Sequence, residues 1–463
     1  MERFHVPGIE VVLKSWLEDM GDVVPSTLLL SEGDRWVSVA ADVLIGGIAV
    51  MSTRCVTSLL QQDMYKVSMS DMILGAGHQD VQVRYELINR SSAKYRLHEH
   101  VDVDEFREQL AAIRGTKFQT DELRYLHSLG HIGDELLHYL SLYLDLPEPD
   151  IWVDGDGELR VTIEGRWIDS IWWEIPVLAT ANELYFRGLM KSQGLDSAIA
   201  MKQIFDAGEE RLRAKVEAMA KIPQASVMEF GTRRRFSGPW QRHILEMMLD
   251  LMPHQVSGTS NVALAREFNL KPMGTMAHEL FLAYMGIYGA TDEGMWNSQR
   301  YVLRDWWNRF RGPLSIALTD TVGTDAFLRI FTEEQARSWW GVRQDSGDPF
   351  RFGRSMIDFY RAKGIDPRRK MIVFSDGLDA GLITGLWDVF SELVGMGFGW
   401  GTNLMNDLGF DTLSLVMKLV AANGVPVAKL SDNPAKATGD KVAISRAMAT
   451  FCPRQDAAEE CRY

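Results

Sequence analysis

From residue 225 onward one unit recurs: a short apolar run, a cluster of Gly, Asp, Ser and Thr, then a helical stretch. Val227-Met228-Glu229-Phe230 ends at Gly231-Thr232-Arg233-Arg234-Arg235, and Val256 leads to Gly258-Thr259-Ser260-Asn261. Leu314-Ser315-Ile316-Ala317-Leu318 ends at Thr319-Asp320-Thr321, and Gly341-Val342-Arg343 runs to Asp345-Ser346-Gly347-Asp348-Pro349. Met371-Ile372-Val373-Phe374 ends at Ser375-Asp376-Gly377, and Phe398 leads to Gly399-Trp400-Gly401-Thr402-Asn403. Strand, polar loop and helix in alternation predict an α/β fold with parallel strands, the pattern of a (β/α) barrel. An open doubly wound sheet satisfies the same rhythm. In a barrel the loops after the strands' C-terminal ends carry the chemistry, and the polar clusters fall there.

The preceding residues follow other rules. Residues 1–50 scatter their apolar side chains among Glu2, Glu10, Glu18, Asp19, Glu32 and Asp34, and read as an extension of the kind an upstream start codon adds. Beyond Met51, the spacing of Tyr65, Met69 and Met72 predicts a helix, and residues 81–87 alternate as a strand. Residues 161–165 read as another strand and 177–192 as a long helix. Asn423-Gly424 between 415–420 and 425–430 is a two-strand turn signal. The resulting division is an extension (1–50), an N-terminal α/β domain (51–180), a barrel domain (181–410) and a C-terminal segment packing back on the N-terminal domain (411–463).

Formal net charge is −14, which argues against non-specific binding to nucleic acid or anionic membrane. Cys55, Cys452 and Cys461 have no metal-ligand spacing, so a reducing cytoplasm is the expected location. No segment has the roughly 20 apolar residues of a membrane helix. Nine histidines, from His5 to His254, form no ligand pair, which disfavours a zinc hydrolase. P-loop and dinucleotide fingerprints are absent as well.

His278 follows Gly274-Thr275 and opens an apolar run at 280–288, with Glu279 beside it. Those are parts of a nucleophilic or general-base histidine, although taken alone a capped helix start is the simpler reading. Arg233-Arg234-Arg235 after a glycine turn suits phosphate, or a solvated surface patch. Arg343, Asp345 and Asp348 place one cation and two carboxylates together, which suits an anionic substrate and magnesium, or an ordinary turn. The loops at Gly377 and Gly401-Thr402 offer backbone donors of the kind that cradle phosphates.

Seven strings occur in order: Gln62-Asp63-Met64-Tyr65-Lys66, Glu229-Phe230-Gly231-Thr232-Arg233-Arg234-Arg235, Gly258-Thr259-Ser260-Asn261, Gly274-Thr275-Met276-Ala277-His278-Glu279, Asp345-Ser346-Gly347-Asp348-Pro349, Phe374-Ser375-Asp376-Gly377-Leu378-Asp379 and Lys429-Leu430-Ser431-Asp432. Together they closely resemble the nicotinate phosphoribosyltransferase family over about residues 57–440. Asn433-Pro434-Ala435-Lys436 departs from the family's more usual Ser-Pro-Gly-Lys. The resemblance implies an irregular (β/α) barrel with a second, smaller α/β domain, as a homodimer. It implies nicotinate, 5-phosphoribosyl 1-diphosphate (PRPP) and ATP as substrates, Mg2+ as cofactor, and a transient phosphohistidine at His278. Nicotinate mononucleotide and diphosphate are the implied products, in the first step of NAD salvage from nicotinate.

By the same resemblance Tyr65 stacks near the pyridine ring, and Arg343 with Thr275 binds the nicotinate carboxylate. Arg233, Gly377, Gly401 and Thr402 hold phosphate groups. Asp345, Asp348 and Asp376 orient ribose and magnesium-bound diphosphate, with magnesium near Asp345 and Asp348. Nicotinamide-using relatives carry Asp where this chain has Ser260, so Ser260 fits an anionic ring substrate.

Overall fold

A computed structural model describes residues 54–452 apart from 434 and 435, together with the backbone of four N-terminal strands. Those strands, β1 (Glu2–Val6), β2 (Ile9–Leu13), β3 (Thr27–Glu32) and β4 (Arg35–Ala40), pair antiparallel in sequence order. The expectation of an extension falls on this stretch, most of which lies outside the described residues. So do Pro434, Ala435 and Cys461.

The antiparallel sheet of the main body has the order β15-β14-β5-β7-β6. Its strands are β5 (Gln82–Asn89), β6 (Asp150–Val153), β7 (Leu159–Arg166), β14 (Leu415–Ala422) and β15 (Val425–Pro426). Val83, Tyr85, Leu87 and Asn89 are buried and alternate with more exposed neighbours, the period that one packed sheet face dictates. Asn423 and Gly424 have φ of 50° and 75°, the left-handed pair that a tight hairpin turn needs. The second strand of that hairpin is only two residues long, and one further bond, from Val427 N–H to Val420 O at 3.0 Å, ties the chain to β14 beyond it.

The parallel sheet contains β8 (Val227–Glu229), β9 (Val256–Thr259), β10 (Ile316–Leu318), β11 (Gly341–Gln344), β12 (Met371–Phe374) and β13 (Gly395–Trp400). Its order is β10-β11-β12-β13-β8-β9, so the first strand of the series pairs with the last. A doubly wound sheet reverses direction at its first strand; here the order is cyclic, as in a barrel, but interrupted once. Among the described residues no strand pairing joins β9 to β10, so a ladder closed all the way round is not what the structure shows.

The chain after β9 occupies that gap. Met273 donates its N–H to Thr259 O at 2.8 Å, and Thr275 Oγ1 donates to Ile316 O at 3.2 Å. Irregular backbone therefore stands where the ladder stops. It carries Gly274, where an added Cβ would lie 2.9 Å from Tyr65 N. Glycine here lets the turn before His278 meet the start of helix α1 (Met64–Gly75).

Two further helices position the site: α2 (Glu174–Ser192) and α3 (His278–Tyr288). The apolar run predicted after His278 is buried from Leu280 to Met285, and α3 packs on β14. Trp167, Trp172 and Trp173 are fully buried in the core. No described helix is long and apolar enough to cross a membrane.

Candidate active site

The C-terminal ends of β8, β11, β12 and β13 open into a cavity of about 580 Å³, which β14 and the residues after it close from the other side. Arg233, Arg343, Asp345, Asp376, Gly377, Gly401 and Thr402, separated by up to 169 positions in the chain, line it together. A smaller recess adjoins, lined by Tyr65, His278, Leu282, Met417 and Leu419. Arg233, Arg343, Asp345 and Lys418 line both chambers and so mark the passage between them.

His278 is the first residue of α3 and is only 4% exposed. Nε2 lies 2.9 Å from Asp345 Oδ2, and Nδ1 lies 3.0 Å from Thr321 Oγ1. A carboxylate only accepts, so Nε2 carries the proton and Nδ1 accepts from the Thr321 hydroxyl. Burial, with Lys429 nearby, pushes the imidazole down to about 4 against the pull of Asp320 and Asp345. The ring is therefore neutral at physiological pH. Burial works to raise the Asp345 carboxyl, but Arg343, His278 and Lys429 more than offset it and hold Asp345 well below the usual carboxylate range.

Tyr65 is buried beside the recess, with the Arg233 guanidinium 5.6 Å from its ring centroid. Its hydroxyl is buried without a hydrogen-bond partner. Arg233 is itself restrained, by Glu174 at 3.1 Å and Asp63 at 3.6 Å. Beneath them Lys66, with no exposed surface, ties Glu174 at 2.7 Å to Glu279. Glu279 also accepts from Tyr85 and, at 2.8 Å, from Trp167 Nε1. One buried lysine thus joins α1, α2 and α3 under the recess.

The cavity is richer in positive charge than the sequence motifs alone implied. Arg90, Arg234, Lys429 and Lys436 line it as well. Arg90 and Arg234 form no ion pair among the described residues, and Arg234 is pushed down to about 10, by burial first and then by Arg233 and Arg90. Cations gathered at such cost select for an anionic ligand. Lys436 instead meets Asp376, whose carboxyl burial raises.

Two expected site residues stand elsewhere. Asp348 does not line either chamber; its Oδ1 caps the helix Pro349–Ala362, accepting from Phe350 N at 2.8 Å and Arg351 N at 3.3 Å. Thr275 spends its hydroxyl on the Ile316 carbonyl and lines neither chamber. Ser260 is 4% exposed, and its hydroxyl donates to Asp63 Oδ1 at 2.7 Å, so it adjoins the site through Asp63 and Arg233. Asp320 was legible only as part of a strand-end cluster. It is fully buried, 3.1 Å from Lys429 Nζ and 3.8 Å from His278 Nε2.

His278, Asp320 and Asp345 have donor atoms within 4.8 Å of one another, the spacing of a metal site. The Lys429 ammonium on Asp320 already supplies a positive charge there, which disfavours a resident cation. Asp345 and Asp376 face the larger cavity and supply the one or two carboxylates that magnesium needs beside substrate phosphate oxygens; at Asp376 the ion would take the place of the Lys436 ammonium.

Residues 225–455 match the model of the nicotinate phosphoribosyltransferase (NAPRTase) family, and residues 60–182 match that of its N-terminal domain. The chain is 39% identical over 398 residues to the nicotinate phosphoribosyltransferase of Cupriavidus necator, covering 83% of this chain and 95% of that protein. Identity to the Neisseria meningitidis serogroup A enzyme of the same name is 40% over 397 residues, 83% and 94% of the two chains. Crystal structures of nicotinate phosphoribosyltransferases from Vibrio cholerae and Porphyromonas gingivalis superpose with TM-scores of 0.77 each. Their identities are 35% and 28%; each match covers 86% of this chain, and 94% and 99% of theirs respectively.

Proposed function

This chain belongs to the nicotinate phosphoribosyltransferase family, and from that premise we propose that it joins nicotinate to PRPP with ATP hydrolysis coupled through His278. The observation that carries the reading is the pair of chambers. A cation-lined cavity that suits a ribose bearing phosphates meets an aromatic recess that suits a pyridine ring, and Arg343 and Asp345 stand between them.

In the reaction the pyridine nitrogen forms a bond to C1 of the ribose while the bond from C1 to diphosphate breaks. Positive charge develops on the sugar as diphosphate leaves. Asp345 and Asp376 face the same cavity and stabilise that charge, and Asp345 is kept ionised by Arg343, His278 and Lys429. Arg90, Arg233 and Arg234 hold phosphate oxygens, with backbone donors from the loops at Gly377 and Gly401-Thr402. Asp345 and Asp376 line the cavity and would hold Mg2+ together with substrate oxygens, where the ion would offset charge on the leaving group. Tyr65 packs against the ring and Arg343 donates to the carboxylate, its Nε being buried and without a partner.

A neutral imidazole retains a lone pair, here on Nδ1, so His278 is competent to take the γ-phosphoryl group of ATP as the bond to ADP breaks and ADP leaves; attack by water on the phosphohistidine then releases phosphate and restores the imidazole. Thr321 and Asp345 fix the ring for that transfer. The added dianion then lies beside Asp345, Asp320 and Lys429, where it shifts the charge that substrate and product meet. This assigns the chain to NAD salvage from nicotinate.

The test is formation of nicotinate mononucleotide from nicotinate, PRPP and Mg2+, with and without ATP, against nicotinamide and quinolinate as competitors. Faster turnover of nicotinamide overturns the substrate. Equal rates with and without ATP overturn the coupling.

A further inference from the structure

We propose that Lys418 is a second reader of the pyridine carboxylate, working with Arg343 to select nicotinate over nicotinamide. The inference rests on the function proposed above and concerns the ring-binding half of the same site.

Lys418 lies on β14 and is one of the four residues that line both the cavity and the recess. Its neighbours Met417 and Leu419 line the recess alone, beside Tyr65, Ala277 and Leu282. Those five supply the aromatic and aliphatic wall that a flat ring needs. The phosphate loops at Gly377, Gly401 and Thr402 line only the larger cavity. A cation at this position therefore borders the ring site.

The recess contains three cations and three carboxylates. Glu174 and Glu279 are neutralised from below by Lys66, and Arg233 is restrained by Glu174 and Asp63. That leaves Lys418, which feels Glu174 without pairing with it, and Arg343 in a recess whose third carboxylate, Asp345, is engaged by His278. Lys418 makes no hydrogen bond or ion pair among the described residues. Glu86, directly across the ladder, is bound by Arg84 at 3.0 Å. Burial, with Lys429 close by, pushes its ammonium down to about 7, and an incoming carboxylate restores the charge.

Discrimination follows from this geometry. A carboxylate between the Lys418 ammonium and the Arg343 guanidinium gains a charge-assisted hydrogen bond from each. A carboxamide offers one neutral oxygen and turns two N–H donors toward donors, which leaves buried polar groups unpaired.

The experiment compares the parent with K418M and K418R by equilibrium titration of nicotinate and of nicotinamide, and by KM for nicotinate and PRPP. In K418M the Kd and KM for nicotinate rise about 10- to 100-fold, the loss of one charge-assisted hydrogen bond. Nicotinamide binding and the KM for PRPP stay within about twofold, and K418R keeps most of the preference. Unchanged preference in a K418M protein of parental Tm overturns the proposal. So does a rise confined to the KM for PRPP, which would place Lys418 on the phosphates. Should the parent bind nicotinate but form no product with PRPP, the proposed function fails, while the titrations still decide the role of Lys418.

Discussion

Replacing Lys66 by Met removes the one cation that α1, α2 and α3 share. Lys66 has no exposed surface and lies 2.7 Å from Glu174. Burial raises the Glu174 carboxyl, yet Lys66, Arg233 and Lys418 overcome it and bring it from 4.5 to about 2. That depression corresponds to roughly 3 kcal/mol of stability at neutral pH. It agrees with the 3–5 kcal/mol typical of breaking a buried ion pair from one side. Glu174 has a second cation, Arg233 at 3.1 Å, but Glu279 without Lys66 has only the Tyr85 hydroxyl and the Trp167 N–H. An unfolding entropy of roughly 2 cal/mol/K per residue over about 400 residues converts this loss to a fall of roughly 4–6 °C in Tm.

The sign of the pH dependence follows from the lowered folded value. Glu174 contributes stability that is full above its unfolded value near 4.5 and is lost as pH falls toward 2. The difference in Tm between parent and K66M is therefore largest at pH 7.5 and smaller at pH 4. Calorimetric scans at both values measure it. A Tm equal to the parent's at pH 7.5, or a deficit that does not narrow at pH 4, refutes the assignment of Lys66 as the keystone of a charged network.

His278→Ala is expected to retain slow PRPP-dependent synthesis and to lose the stimulation by ATP; stimulation equal to the parent's removes the phosphohistidine. Arg234→Gln raises the KM for PRPP about tenfold, because a cation without an ion-pair partner leaves the cavity, while the KM for nicotinate holds. A rise in the nicotinate KM alone would move Arg234 to the ring site. Ser260→Asp sets a carboxylate against Asp63, now 2.7 Å from the serine hydroxyl. Two adjacent buried carboxylates share a proton when it is available, so Tm falls more at pH 8 than at pH 5. Equal losses at the two values would show that Asp63 does not face the new group.

The rhythm of short apolar runs and polar loops was enough to place Arg233, Asp345, Asp376, Gly377, Gly401 and Thr402 at strand ends, because strand period and turn chemistry are local. The ordered motifs identified the family for the same reason. Asp348 shows the limit of such reading. Its Asp-Pro pair fits both a ligand and a helix cap, and only the direction of the helix Pro349–Ala362 makes it a cap. Thr275 likewise turned to the strand gap, since the unpaired edge at β10 needed a donor.

Residue identity along the chain determined the alternation of strands and helices and the family to which the chain belongs, and it put a histidine at the start of an apolar helix; burial made that ring neutral. Tertiary structure alone decided that β14, more than 320 positions from the start of β5, would pair with it and carry Lys418 to the passage between the chambers. It also buried Lys66 completely, between Glu174 and Glu279. Charges acquire their meaning from burial and from neighbours remote in sequence, and no local pattern encodes either.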